Sequence, residues 1–167
     1  MKQRLTESLH PDARGLDALP DGQILDTLLA GQRAALAAVE PALEDIAQGG
    51  LLIAQTLRDG GRLVYAGAGS SGLMALADSV ELSGTFGLSA DRIRICMAGG
   101  IPTDAAMLGA TEDDVAAAHR AARDLVGGDL LIAVSASGST PYPLALASAA
   151  RAAGCKVIGI ANTPGAA

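Results

Sequence analysis

Arg62-Leu63-Val64-Tyr65-Ala66-Gly67-Ala68-Gly69-Ser70-Ser71-Gly72 is the stretch that decides the fold. Arg62–Ala66 has the length and composition of a short buried strand. A glycine-serine loop follows, and helix-compatible sequence runs from about Ser71 to Leu82, where Ser83-Gly84-Thr85 and Gly87 predict a break. The same order recurs downstream. Asp129–Val134 reads as strand, Ser135-Ala136-Ser137-Gly138-Ser139-Thr140 as loop, and Pro141 to about Ala153 as helix, stopped by Gly154. Arg92–Met97 and Lys156–Ile160 supply two more strands. A short helix is predicted from Pro102 or Thr103, and a longer one over residues 112–126.

Upstream, residues 1–20 are polar, punctuated by Pro11, Gly15 and Pro20, and read as an extended arm. Asp21 can cap a helix running to about Val39, with Ile24, Leu25, Leu28, Leu29 and Leu36 on one side. Pro41 starts a second helix that ends before Gly60-Gly61. Strands that alternate with helices across short loops predict an α/β fold: a three-layer, flavodoxin-like parallel sheet with right-handed crossovers. Residues 1–58 form an N-terminal arm and two helices, and residues 59–167 form the sheet domain. The sequence ends just past a strand, in Asn162-Thr163-Pro164-Gly165-Ala166-Ala167, without a helix to cover that strand. Four strands also make a small sheet, so a missing C-terminal part is expected.

The 167 residues suffice for one domain with a real core. Half are apolar, mostly Ala and Gly, and only two Tyr and one Phe are aromatic, which suits close helix–sheet packing. The net charge is −6 and Lys and Arg do not cluster, which argues against sequence-independent nucleic-acid binding. Met1-Lys2-Gln3-Arg4 is followed by polar residues, unlike a signal peptide. No run of about 20 apolar residues predicts a membrane span. Cys96 and Cys155 sit in separate apolar runs without metal-type spacing and read as buried free thiols. His10 and His119 lack partners for a metal site. A reducing cytoplasm is the expected compartment.

Glycines let a backbone approach a ligand, and a helix start offers unpaired N–H groups at the positive end of a dipole. Gly69, Ser70 and Ser71 in the first loop, and Ser135, Ser137, Gly138, Ser139 and Thr140 in the second, are therefore candidate oxyanion-binding residues. Four hydroxyls in residues 135–140 exceed what one helix cap uses. Gly67-x-Gly69-x-x-Gly72 also fits the dinucleotide fingerprint. A ribose-binding carboxylate should then end the next strand, but Cys96-Met97-Ala98-Gly99-Gly100 has none. The pocket expected is one for a phosphorylated small molecule. Glu81, flanked by Val80 and Leu82, and Glu112, in Glu112-Asp113-Asp114, are the carboxylates singled out. Spacing alone leaves both readable as surface residues. Ten residues of helix put Glu81 roughly 15 Å along the axis from Ser71. It therefore serves either another part of the pocket or a neighbouring subunit's pocket.

Taken together, these motifs resemble the sugar isomerase (SIS) domain and, within it, the N-acetylmuramic acid 6-phosphate etherases. The resemblance spans nearly the whole chain. Thr6-Glu7-Ser8-Leu9-His10-Pro11 with Leu16-Asp17 is similar to that family's N-terminal signature, with His10 in place of the usual Asn. Gly67–Gly72 matches its first phosphate loop. Asp78-Ser79-Val80-Glu81 with Thr85-Phe86-Gly87 matches one catalytic segment. Ala98-Gly99-Gly100 and Gly109-Ala110-Thr111-Glu112-Asp113 match another. Ser137–Tyr142 and Asn162–Gly165 match later loops. The family usually has arginine where Leu73 and Ser139 stand, and Cys-Pro-Pro where Leu82-Ser83-Gly84 stands. Its C-terminal half is absent from these residues. Glu81-Leu82-Ser83-Gly84 also resembles the Glu-Leu-Thr-Gly of phosphoheptose isomerases.

The resemblance implies a 6-phosphosugar bearing a D-lactyl ether at C3, with Glu112 as base at C2 and Glu81 as acid for the departing lactate. The reverse assignment stays open. It implies no metal and no other cofactor. A homodimer in which residues 6–58 embrace the partner is expected. An aldose–ketose isomerase and a non-catalytic sugar-phosphate sensor are the rival readings.

Overall fold

The computed structural model describes residues 6, 8–107, 109–163 and 165. Met1–Arg4, Glu7 and Pro164, each part of a motif quoted above, and the closing Ala166-Ala167 lie outside the described residues. The chain divides into two compact units, Met1–Leu51 and Leu52–Ala167.

In the first unit the arm is not simply extended. It makes single tight turns at Pro11–Ala13 and Leu16–Ala18, the first capped by the His10 ring, whose Nδ1 accepts the Asp12 N–H at 3.2 Å. Helix α1 spans Asp21–Ala37, with Pro20 rather than Asp21 as its N-cap. A turn at Glu40–Ala42 leads into α2 (Leu43–Arg58), whose residues from Leu52 onward belong to the second unit. No residue of α1 is buried.

In the second unit, β1 (Leu63–Gly67), β2 (Ile93–Met97), β3 (Leu130–Val134) and β4 (Lys156–Ile160) are all parallel, in the order β2-β1-β3-β4. Central β1 is buried along its whole length. Side chains alternate across a strand. Leu63, Tyr65, Leu130 and Ile132 therefore point to one face, where Leu52, Ile53 and Leu57 of α2 and Ala75 of α3 (Gly69–Phe86) cover them. Val64, Ala66 and Leu131 point to the other, under Ala118 of α4 (Val115–Ala121) and Leu146 and Ala150 of α5 (Pro141–Ala152). The expected three-layer sheet is thus present.

The N-terminal edge of the sheet is saturated with bonds. Asp129, 2% exposed, accepts from Arg62 Nε at 3.0 Å, its terminal nitrogen at 2.6 Å and its backbone N–H at 3.2 Å, and from the Val126 N–H at 3.1 Å. Burial alone would raise the Asp129 carboxyl, but these donors outweigh it and hold it below its usual range.

Three expected boundaries are corrected. Helix α3 continues through Ser83-Gly84-Thr85 and stops at Gly87, whose φ is 65° and whose N–H bonds to the Leu82 carbonyl. One glycine costs a helix only about 1 kcal/mol, and Leu82 packs against the core on this face. No helix forms among the described residues of 101–107. There the Asp104 carboxylate takes the Ala106 N–H at 2.8 Å, a local bond that competes with helix. The helix expected over 112–126 is split, because Asp114 accepts the Ala117 N–H at 2.8 Å and becomes the N-cap of α4.

Candidate functional site

Chain order and sheet order part company at β1. From β1 the chain crosses to β2 through α3 on one face. It later returns to β3, on the other side of β1, and leaves through α5 on the opposite face. The loops after β1 and β3 therefore diverge and leave a crevice at the carboxyl ends of two adjacent strands, the usual ligand position in open α/β sheets. Both serine-bearing loops flank this crevice.

The glycine loop starts its helix almost on the strand. A Cβ on Gly67 would lie 2.8 Å from the Gly72 Cα, and one on Gly72 would lie 3.0 Å from the Met97 Cγ. Gly69 turns the chain with φ 54°. The N-cap is Ala68, and no side chain caps α3. Ser70 and Ser71 are helical residues and not caps, so the amides of Gly69, Ser70 and Ser71 form a bare helix start.

The serine loop works differently. Thr140 is the N-cap of α5 but makes no side-chain capping bond. Its hydroxyl instead pairs with Ser135 Oγ at 2.9 Å, and Ser135 Oγ also accepts the Gly138 N–H at 3.1 Å. Ser137 Oγ accepts both the Ser139 N–H at 3.2 Å and the Ser139 hydroxyl at 3.0 Å. A hydroxyl has one hydrogen. The Ser137 O–H is thus left over for a ligand, as is one hydrogen of the Ser135–Thr140 pair. From the sequence, one or two of these hydroxyls are expected to cap the helix; the loop instead uses them on itself, and two hydroxyl hydrogens remain.

A third wall comes from the end of β2. Gly99, with φ 78°, lies so close to Thr111 that a Cβ would sit 3.0 Å from its Cγ2. Beside this contact lies an open hollow of about 240 Å³ bordered by Gly69, Met97, Gly99, Gly100, Ile101 and Thr111, among others. Glu112 follows Thr111 in a single turn, Thr111–Asp113, held between the Asp114 cap and Ala110. Ala110 has φ 61° and is the one non-glycine residue with positive φ among the described residues. An L-residue pays of order 1 kcal/mol to stay there.

Glu112 is exposed at the edge of this region. Glu81 is exposed on α3, about 18 Å along the helix axis from Gly69. It shares the open side of α3 with Met74 and Val80, 66% and 60% exposed. The structure thus gathers Gly69, Ser70 and Ser71 at one helix start and Ser135, Ser137, Gly138, Ser139 and Thr140 in one bonded loop, with Glu112 on a neighbouring turn. It does not bring Glu81 to the glycine loop of its own chain.

Sequence reasoning passed over three residues. The buried Tyr65 hydroxyl donates to Asp78 Oδ2 at 2.7 Å and ties α3 to β1. Burial first, and then this bond, raises the Tyr65 phenol above its ordinary value. Tyr142, beneath the serine loop, is 3% exposed, and burial pushes its phenol up to about 12. A tyrosine in so aromatic-poor a chain was the available signal for both. Gly99 was quoted only as part of a motif.

The SIS domain profile matches residues 29–162. The chain belongs to the SIS domain family. N-acetylmuramic acid 6-phosphate etherases are similar to it: that of Deinococcus radiodurans is 40% identical over 98% of this chain and 54% of its own length. The Thermobifida fusca enzyme is 34% identical over 95% of this chain and 52% of its own, and that of Geobacillus thermodenitrificans 35% over 96% and 55%. This SIS chain spans about half the length of the curated relatives it matches. Among solved structures, phosphoheptose isomerases from Neisseria gonorrhoeae and Francisella tularensis share the fold, each with TM-score 0.64 and 21% identity. They cover 84% and 86% of this chain, and 74% and 76% of theirs. Among the described residues of this SIS chain, no helix is long and apolar enough to cross a membrane, and no three His, Cys, Asp or Glu are grouped to hold a metal. Cys96 and Cys155 are both buried and free.

Proposed function

We propose that the protein, in its full length, cleaves the D-lactyl ether of N-acetylmuramic acid 6-phosphate to N-acetylglucosamine 6-phosphate and D-lactate. The observation that carries this is the 40% identity to a named etherase over 98% of the chain. Amides of Gly69, Ser70 and Ser71, at the positive end of α3, and the two spare hydroxyl hydrogens, one on Ser137 and one in the Ser135–Thr140 pair, hold phosphate and sugar oxygens, with the Ser139 hydroxyl orienting Ser137.

In the open-chain sugar, C2–H is alpha to the C1 aldehyde. Glu112 removes that proton and leaves an enolate. The enolate expels the C3 ether oxygen, which takes a proton from Glu81 and departs as lactate. Water then adds to C3 of the unsaturated aldehyde, and C2 regains a proton. Atoms balance without a redox partner, metal or nicotinamide.

Glu81 reaches the chemistry from a second copy of the chain. Two features support a homodimer in which residues 6–58 embrace the partner: its open position on α3 beside Met74 and Val80, and the exposed leucines of α1, Leu25 and Leu36 at 66% and 74%. The cytoplasm is the proposed compartment, in keeping with two free thiols.

The decisive experiment measures D-lactate released from N-acetylmuramic acid 6-phosphate by the full-length protein and by Glu81→Gln and Glu112→Gln. Lactate from the wild type, reduced at least a hundredfold in each variant, is expected. An isomerised sugar phosphate without lactate would replace this reading with the aldose–ketose isomerase. Tight binding with no turnover would replace it with the sensor. Monomer alone in light scattering at micromolar concentration would overturn the dimer.

A further inference from the structure

We propose that the hollow at the end of β2 is the seat of the sugar's 2-acylamino group and that it accepts neutral acyl chains longer than acetyl. The assignment rests on the etherase reading for the identity of the sugar, but its argument is local. The hollow shares Gly69 with the glycine loop and Thr111 with the turn that carries Glu112. A ligand anchored by its phosphate in the crevice, with C2 within reach of Glu112, therefore directs its C2 substituent here.

The chemistry of the wall selects which substituent. Among the described residues no Lys or Arg borders the hollow, whereas Asp104 does, with Oδ1 fixed by the Ala106 N–H at 2.8 Å. A lactyl group ends in a carboxylate and would meet Asp104 without a cation to offset it. An acylamino group is uncharged, and the backbone at Gly99 and Gly100 offers polar edges to it.

Part of the remaining wall is apolar, beside Thr103 and Thr111. Ile101 and Met107 stand 53% and 47% exposed, apolar surface that an acyl chain would cover. Methionine adapts its shape to what it meets. The volume of about 240 Å³ is several times the ~30 Å³ share of one water, so an acetyl methyl leaves most of it empty.

Calorimetry on the full-length protein tests this with glucosamine 6-phosphate and its N-acetyl, N-propionyl and N-butyryl forms. N-acetyl should bind at least tenfold tighter than the free amine, with N-propionyl within threefold of N-acetyl. Ala106→Phe, at an exposed position, should leave N-acetyl within threefold and weaken N-propionyl and N-butyryl tenfold. Ile101→Asp should weaken every N-acyl form while sparing the amine. Equal affinity for amine and N-acetyl, or the same chain-length profile in wild type and Ala106→Phe, would overturn the assignment. The readout is binding, not turnover. Failure to release lactate would therefore sink the etherase and leave the acyl seat standing, while lost acyl discrimination would do the reverse.

Discussion

The two loops that flank the crevice look alike in sequence and are built on opposite plans. After β1, Gly67 and Gly72 remove side chains so that a helix can begin against the strand with its amides bare. After β3, Pro141 and Pro143 occupy the first and third positions of α5 and delete two of the amides a helix start normally offers. In their place stand hydroxyls bonded to one another. In the proposed function one loop would bind through backbone and dipole, the other through side chains already ordered before a ligand arrives. Ordering them in advance lowers the entropic cost of binding.

The largest effect expected from breaking this comparison is at Gly67. Gly67→Ala forces a methyl onto the Gly72 backbone and should cost about 3 kcal/mol, as overpacking does. Urea unfolding would measure it, and phosphosugar binding should vanish with the bare helix start. A loss under 1 kcal/mol would mean that α3 can slide, and that the close approach is not what sets the loop.

Next in size is Asp129, at the far edge of the sheet, where neither loop is touched. Asp129→Asn should cost about 2 kcal/mol at neutral pH by weakening the buried pair with Arg62. The sign with pH follows from the depressed carboxyl. Its stabilisation is complete above the unfolded carboxyl's pKa of about 3.9, and is lost as pH falls through the lower folded value. Wild type and variant should therefore converge in acid, and a gap that stays constant down to about pH 2 would refute that account. If the loops are independent of this edge, ligand affinity at pH 7 should stay within twofold.

How much of this could be read beforehand depends on the range of the interaction. The strands were legible because Leu63–Ala66, Leu130–Val134 and their neighbours are apolar runs between turn signals, a local property. Both loops were legible for the same reason. What was not legible is contact between residues far apart or conformations chosen by competition. Nothing in the letters says that Gly67 touches Gly72, or that Gly99 presses on Thr111. Asp104 was one more polar residue until its carboxylate took the Ala106 amide from a helix. Ser83-Gly84-Thr85 signalled a stop that the packing of Leu82 overrode. Glu81 and Glu112 could be picked out from the letters but read equally well as surface residues; only the resemblance gave them catalytic roles, since an exposed glutamate carries no local mark of chemistry.

Smaller effects sharpen the contrast between the loops. Ser137→Ala removes an acceptor for two Ser139 donors and the hydrogen left for a ligand. N-acetylglucosamine 6-phosphate should bind about tenfold more weakly, in line with loss of one charge-assisted hydrogen bond. Ser70→Ala, on the amide-based side, should change affinity by less than threefold. Equal losses at the two serines would erase the distinction between backbone and hydroxyl recognition.

The smallest effect expected is at Pro141. Pro141→Ala restores one N–H at the start of α5 and releases the φ that proline had fixed. Stability should fall by about 0.5 kcal/mol through the looser unfolded chain, read as a small drop in urea midpoint. Affinity should move the other way, because the new amide joins the positive end of the dipole beside the hydroxyls. A gain of about twofold matches a few tenths of a kcal/mol from one helix-end donor. The two measurements together separate the plans: a loop that already relied on its helix start would gain more, and a loop whose hydroxyls sit off the helix axis would gain nothing.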